Sequence, residues 1–331
     1  QNYQEAENFY KKSIIVKHDY PEAHFNLAIL LMHLGIYNPG FKKYNWRWKV
    51  ESFDSKKLVI NKPKWALEKN KTILIWPEQG IGDQILLSRF FNDLIDYSEN
   101  LKIIVDPKLI NYFKKSFPNF NFQLEVKSYE FEYQLPMGDL PSLFINNVND
   151  VKERSHPYLY VDKNIKEELR KLFPVDKKIC GLSWVSNNDD IGFYKSLTLE
   201  KLKDVLSLKD VVFLDLQYSD TTEERENFFK KNGIEILKFD KIDNLNDIYS
   251  LASLIDACDF VLSISNTNVH LSGAIGKKTF LMLPKGKGKL WYWSANHQKS
   301  HWYNSVKIIE QKEIGNWKTV IREVVQEIGD I

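Results

Sequence analysis

The chain has 331 residues, 43% of them hydrophobic and 14% aromatic, and its 46 basic and 44 acidic side chains leave a formal net charge of +2. That length and apolar content exclude a disordered chain and allow two cores of ordinary size plus an appendage. The charge balance carries no footprint for nucleic acid, no apolar run approaches the ~20 residues of a membrane span, and the opening "QNYQEAENFY" is no signal peptide. The pattern is already under way at residue 1, as expected of a piece of a longer chain. Cys180 and Cys258 lie in apolar stretches and read as buried free thiols in a reducing compartment. The expected location is the cytoplasm, or peripheral attachment at the inner membrane.

The first 45 residues repeat themselves at a spacing of 34: Tyr3 returns as Tyr37, Ala6 as Gly40 and Tyr10 as Tyr44. With "PEAHFNLAILLMHLG" between them, they resemble the tetratricopeptide repeat, a helix pair that buries its apolar face only against neighbours. A chance helical hairpin is the alternative. "YNWRWKVESF" and "NKPKWALEKNK" follow as an aromatic and basic bridge. From residue 71 strands and helices alternate, with strands expected at 72–76, 101–105, 121–125 and 131–135, then loops and short helices over 136–160. A second series starts at 178, with strands in "KICGLSWV", "VVFLDLQ", "IEILKF", "FVLSIS" and "TFLML" and helices between them. The final pattern, "WKTVIREVVQEIG", reads as an amphipathic helix. Such alternation predicts two parallel-sheet α/β domains.

Two turns stand out. In "TILIWPEQGIGDQILLSRFF" an apolar strand runs into the Gly80–Gly82 turn, Asp83 and a helix. A helix start presents unpaired N–H groups, and glycines let the backbone come close to a ligand. Three readings are open for Asp83. A dinucleotide site draws on Asp106 after the next strand, yet Ile85 stands at the third glycine position. A cap or first-turn acid would favour the helix dipole. A general base would sit here too, at the carboxyl end of a strand in an open sheet. The second turn, Ser265-Asn266-Thr267-Asn268 with His270, follows "FVLSIS" and offers hydroxyls and amides to a diphosphate, or simply caps its helix. Between the turns lies the polar loop "SWVSNNDDIGFYKSLTLE", where Lys195 could neutralise phosphate oxygens or stand solvated on the surface.

Four segments in order resemble bacterial tetratricopeptide proteins with a glycosyltransferase domain akin to family 9, the heptosyltransferases. They are "YNPGFKKYNWRWK" with Pro63–Trp65, "EQGIGDQILLSRF", "SNTNVHLSGAIGKKTFLMLP" and "KLWYWSANHQKSHWYNSVKI". The resemblance implies a GT-B fold: two Rossmann-like domains with a central cleft, preceded by an all-α tetratricopeptide segment. The expected division is 1–50 for that segment and its connector, 51–172 for the acceptor domain, and 173–331 for the donor domain, whose last helix crosses back.

The implied reaction is inverting and metal-independent, with a nucleoside-diphosphate sugar as donor and no cofactor. The acceptor would be a glycan, a lipid-linked glycan or a protein, and the helical segment would dock a protein partner. The resemblance makes Asp83 the catalytic base. It places the substrates against Gln79, Gly80, Gly82, Ser186, Asn187, Lys195, Gln217, Ser265, Asn266, Thr267, Asn268 and His270. Asn266 stands where the family has aspartate, and "KGKGK" at 285–289 adds positive charge. Two rival readings are a non-catalytic scaffold with a degenerate nucleotide-sugar site and a nucleotide-sugar epimerase on the same fold.

Overall fold

The computed structural model describes residues 2–55, 57–98, 100–127, 130–293 and 298–330, the side chain of Ile165 aside. The chain falls into two compact units. The first runs through Ser155 and takes in the turn Trp291–Trp293; the second runs from His156 to Lys289 and resumes toward the C-terminus.

The first unit opens with helices α1 (Tyr3–Val16), α2 (Pro21–His33) and α3 (Tyr37–Tyr44) and a 3₁₀ turn, Asn45–Lys49. Gly40 is needed for close approach: a Cβ there would lie 2.6 Å from Met32 Cγ and 3.2 Å from Ala28 O. The repeat residues Tyr37 and Tyr44 are buried, as are Ala28, Leu31 and Met32 on α2.

A four-stranded parallel sheet follows: β1 (Ile73–Trp76), β2 (Leu101–Ile104), β3 (Asn121–Gln123) and β4 (Tyr133–Pro136), in the order β3-β2-β1-β4. Every residue of β1 is buried, as a central parallel strand covered on both faces requires. The four strands fall where alternation placed them, each within two or three residues. Pro63 O accepts from Gln134 N at 3.0 Å and Trp65 N donates to Gln134 O at 2.9 Å, so the bridge before β1 pairs with the edge of β4.

The second unit holds six parallel strands: β5 (Lys178–Ser183), β6 (Val211–Asp215), β7 (Ile236–Leu237), β8 (Phe260–Ile264), β9 (Thr279–Leu283) and β10 (Val306–Glu310). Their spatial order is β10-β9-β8-β5-β6-β7, the doubly wound 3-2-1-4-5-6 arrangement read from the other edge. The chain reverses its winding direction between β5 and β8, where the turn of residues 265–268 begins.

Three features depart from the sequence reading. β10 was not among the expected strands; its "VKIIE" carries the β-branched residues of a strand. Residues 156–172, expected in the first domain, are held by the second unit: Tyr249 Oη donates to Asp162 at 2.7 Å, and Arg170 pairs with Asp259 at 3.1 Å. The last helix, Lys318–Gly329, was expected to cross back. Its buried Val320, Ile321, Val324 and Ile328 instead join the core of the second sheet with Leu202, Val205, Leu206 and Ile309. The segment that returns to the first unit is Trp291–Trp293, with Trp291 edge-on to Phe41 at 5.7 Å.

Candidate functional site

In the first unit the turn after β1 leads into helix α4, Ile81–Leu87, with Gly80 as N-cap and Asp83 as its third residue. A Cβ on Gly80 would lie 3.9 Å from Asp83 Oδ2, an ordinary van der Waals contact, which places this glycine directly beside the carboxylate. Gln84 ties the turn down. Its Nε2 donates to Gln79 O at 3.1 Å and its Oε1 accepts from Asp106 N at 2.9 Å. Asp106, a candidate ribose acid under the dinucleotide reading, caps the next helix by accepting from Lys108 N at 2.9 Å.

Two buried tyrosines feel the charge of Asp83. Burial pushes the phenols of Tyr44 and Tyr292 well above their ordinary range, and the nearby Asp83 carboxylate pushes both further. Tyr44 also donates to Gln79 Oε1 at 3.3 Å. Behind the turn, Arg47 is fully buried and grips Glu78 with two nitrogens, at 2.7 and 2.8 Å.

At the switch point of the second unit, hydrogen-bond directions follow from the backbone. Gln217 Oε1 accepts from Trp184 N at 2.8 Å and Val185 N at 3.1 Å, so that oxygen is the amide carbonyl. The Ser183 hydroxyl, 2.6 Å away, therefore donates to it. Ser183 Oγ in turn accepts from Asn266 Nδ2 at 2.7 Å and Asn268 Nδ2 at 3.0 Å. Asn266 Oδ1 caps the helix Thr267–Ala274 by accepting from Asn268 N at 3.1 Å. Asn268 reaches Leu216 O at 2.8 Å, which joins the ends of β5, β6 and β8 in one buried polar knot.

This knot redistributes the expected contacts. Gln217, Ser265 and Asn268 are buried, and Gln217 and Asn268 bond within the fold. His270 is buried with Nδ1 3.0 Å from Tyr303 Oη. Lys195, weighed against a solvated lysine, is only 4% exposed. Thr267 and Ser186 are half-buried and Asn187 is exposed; Asn187 N donates to Tyr218 Oη at 3.0 Å. In the 285–289 loop, Lys289 pairs with Glu310 at 2.7 Å, Lys285 Nζ donates to Lys312 O at 2.7 Å, and Lys287 lies over the Tyr194 ring at 4.7 Å.

No protein-family model matches the chain. It is 26% identical over 333 aligned positions to Protein FlbA of Caulobacter vibrioides, an alignment that takes in 92% of this chain and 54% of that protein. The chain thus spans about half the length of that curated relative. Among solved structures it resembles the family 9 glycosyl transferase of Veillonella parvula, with a TM-score of 0.56 at 10% identity, over 82% of this chain and 98% of that one. It also resembles ADP-heptose LPS heptosyltransferase II of E. coli, with a TM-score of 0.54 at 8% identity, over 78% and 98% of the two chains. The fold is of the glycosyltransferase kind, with two parallel α/β sheets.

Sequence reasoning missed Ser183, Arg47, Glu78 and Asp215. Arg47 had a signal, since "WRW" surrounds one cation with aromatic faces. Asp215 is fully buried at the end of β6 and meets Lys238 at 3.1 Å, Arg225 at 3.3 Å and the Thr221 hydroxyl. Those partners make it a support for the Gln217 turn, whose N–H it accepts at 2.6 Å. Cys180 and Cys258 are buried and free, and burial raises the Cys258 thiol to about 12. Among the described residues no helix is long and apolar enough to cross a membrane.

Proposed function

We propose that the chain is an inverting glycosyltransferase that moves a sugar from a nucleoside-diphosphate donor to an acceptor hydroxyl without a metal. The observation that carries this reading is the carboxylate of Asp83 in the first turn of a helix at the carboxyl end of a parallel strand, beside the glycine that caps that helix. The likeness of fold to family 9 transferases supports it. Asp83 takes the proton of the acceptor hydroxyl as that oxygen bonds to the anomeric carbon, and the bond to the nucleoside diphosphate breaks with its electrons on the leaving phosphate. The donor falls to the second unit, where Thr267, Ser186 and Asn187 offer hydroxyl and amide contacts and Lys195 a positive charge. Those groups act most on the charge that grows on the leaving group.

On this reading α1–α3 form a tetratricopeptide-type segment for a protein partner, and the reaction runs in the cytoplasm or at the inner membrane face. The test is a turnover assay over a panel of nucleoside-diphosphate sugars with wild type and Asp83→Asn. Loss of turnover with retained nucleotide binding supports the base; equal rates remove Asp83 from the mechanism.

One observation favours a second reading, a scaffold that binds nucleotide without turnover. The Asn266–Ser183–Gln217 knot uses on itself polar groups that a donor would otherwise meet. Binding without turnover by wild type would decide for it.

A further inference from the structure

The buried ion cluster at Arg47 joins the end of the helical segment to the turn that carries Asp83. Arg47 Nε and NH2 meet the two oxygens of Glu78 at 2.7 and 2.8 Å, and NH1 meets Asp139 at 2.8 Å and Tyr44 O at 3.1 Å. Tyr44 and Trp48 each lie with the ring centroid 4.4 Å from the guanidinium carbon. Lys64 closes the charge balance on Asp139 at 2.6 Å, giving two cations to two carboxylates. The side chains of Glu78, Asp139 and Arg47 are each at most 2% exposed. Gly138 leaves the space that the Glu78 carboxylate fills, since a Cβ there would run into that carboxylate.

A buried ion cluster is a poor device for stability, because desolvation offsets most of the attraction and an apolar replacement does as well. What it provides is direction: the guanidinium hydrogen-bonds one Glu78 oxygen through NH2, stands 2.7 Å from the other as an ion pair through Nε, and turns NH1 to Asp139, a spread of contacts a single ammonium cannot reproduce. Glu78 is followed by Gln79, which Tyr44 reaches from the same segment, and Gln84 holds Gln79 from the far side. The chain between Glu78 and Gln84 is therefore pinned at both ends, with Asp83 inside it.

We propose that Arg47 is the positioning residue of the Asp83 turn, so that the helical segment completes the catalytic half and is not only a docking appendage. This rests on the reading of Asp83 as the base. Because misplacing a reacting group by about 1 Å costs on the order of a hundredfold in rate, the cluster acts on kcat with little effect on donor binding.

The test compares Arg47→Lys, which keeps the charge and loses that spread of contacts, with Glu78→Gln, which keeps the shape and loses the charge. Both are measured in the full chain by thermal unfolding, by kcat and donor KM at a temperature where the variant is folded, and by hydrogen exchange. The expected result is kcat lower by about a hundredfold with donor KM within about twofold, and amide exchange over residues 79–85 faster by about tenfold or more while β5 and β6 are unchanged. Wild-type kcat and wild-type exchange over 79–85 in the folded variants would overturn the proposal. If Arg47→Lys does not fold, Glu78→Gln carries the same two readouts. If wild type turns over no donor, the transferase reading falls and the exchange result alone decides whether Arg47 sets the turn.

Discussion

Replacing Asn266 by aspartate restores the carboxylate of the resembled family and tests the assigned directions of the polar knot. The Nδ2 group donates to Ser183 Oγ at 2.7 Å and to Val185 O at 3.3 Å. The Ser183 proton is committed to Gln217, so an aspartate oxygen would face a lone pair and a carbonyl with no hydrogen between them. Losing these donors in a site 9% exposed costs about 3 kcal/mol, as buried groups left unpaired cost ~1–3 kcal/mol each. Aspartate caps as well as asparagine, and its charge at the helix start returns up to about 1 kcal/mol. The net loss is about 2 kcal/mol, or roughly 4–8 °C in Tm for a unit of this size. The sign with pH follows: the carboxyl is easier to keep protonated in the folded state, so the folded chain binds more protons than the unfolded one. The deficit should be small near pH 4 and grow as pH rises past the ordinary aspartate range near 3.9. Melting curves of wild type and variant at pH 4.5 and 8 measure this. A variant as stable as wild type at pH 8 would refute the assigned donors.

Further outcomes follow from the same contacts. Gly138→Ala drives a methyl into the pinned Glu78 carboxylate and should lower stability by about 1–3 kcal/mol in denaturant titration. Asp215→Ala strands Lys238 and Arg225 and should cost about 3–5 kcal/mol by the same titration. Alkaline stability should fall in two stages. The native state holds the Cys258 thiol protonated up to about 12 and the Tyr44 and Tyr292 phenols above their usual range. The unfolded chain releases those protons earlier, from about pH 8.5 for thiol and 10 for phenol, so stability drops as pH rises through each. Tyr292→Phe should flatten the second stage. Neither cysteine should react with a thiol reagent at pH 8 until the chain unfolds.

The strand–helix alternation was legible because strands covered on both faces read as apolar runs: "ILIW" and "FVLSI" are buried throughout. Edge strand β10 was not, because its burial is mixed and Lys307 and Glu310 break up its apolar residues. The place of Asp83 in the first turn of a helix after a strand was legible from the strand–glycine–helix pattern, while its role as base comes from the family resemblance and stands as the proposal above. The knot around Asn266 was not, because Ser183, Gln217 and Asn268 meet only when β5, β6 and β8 become neighbours. Arg47 escaped for a related reason. Its partners lie 31 and 92 residues downstream, and no local pattern announces a contact of that range.

The central claim is a single displacement driven by Asp83, and water can stand in for an unknown acceptor. Real-time NMR of donor hydrolysis reads the anomer of the sugar first released, before it equilibrates in solution. The account expects the inverted anomer from wild type, and no release above background from Asp83→Asn with nucleoside-diphosphate binding intact. A retained anomer, or equal release by the variant, would contradict it.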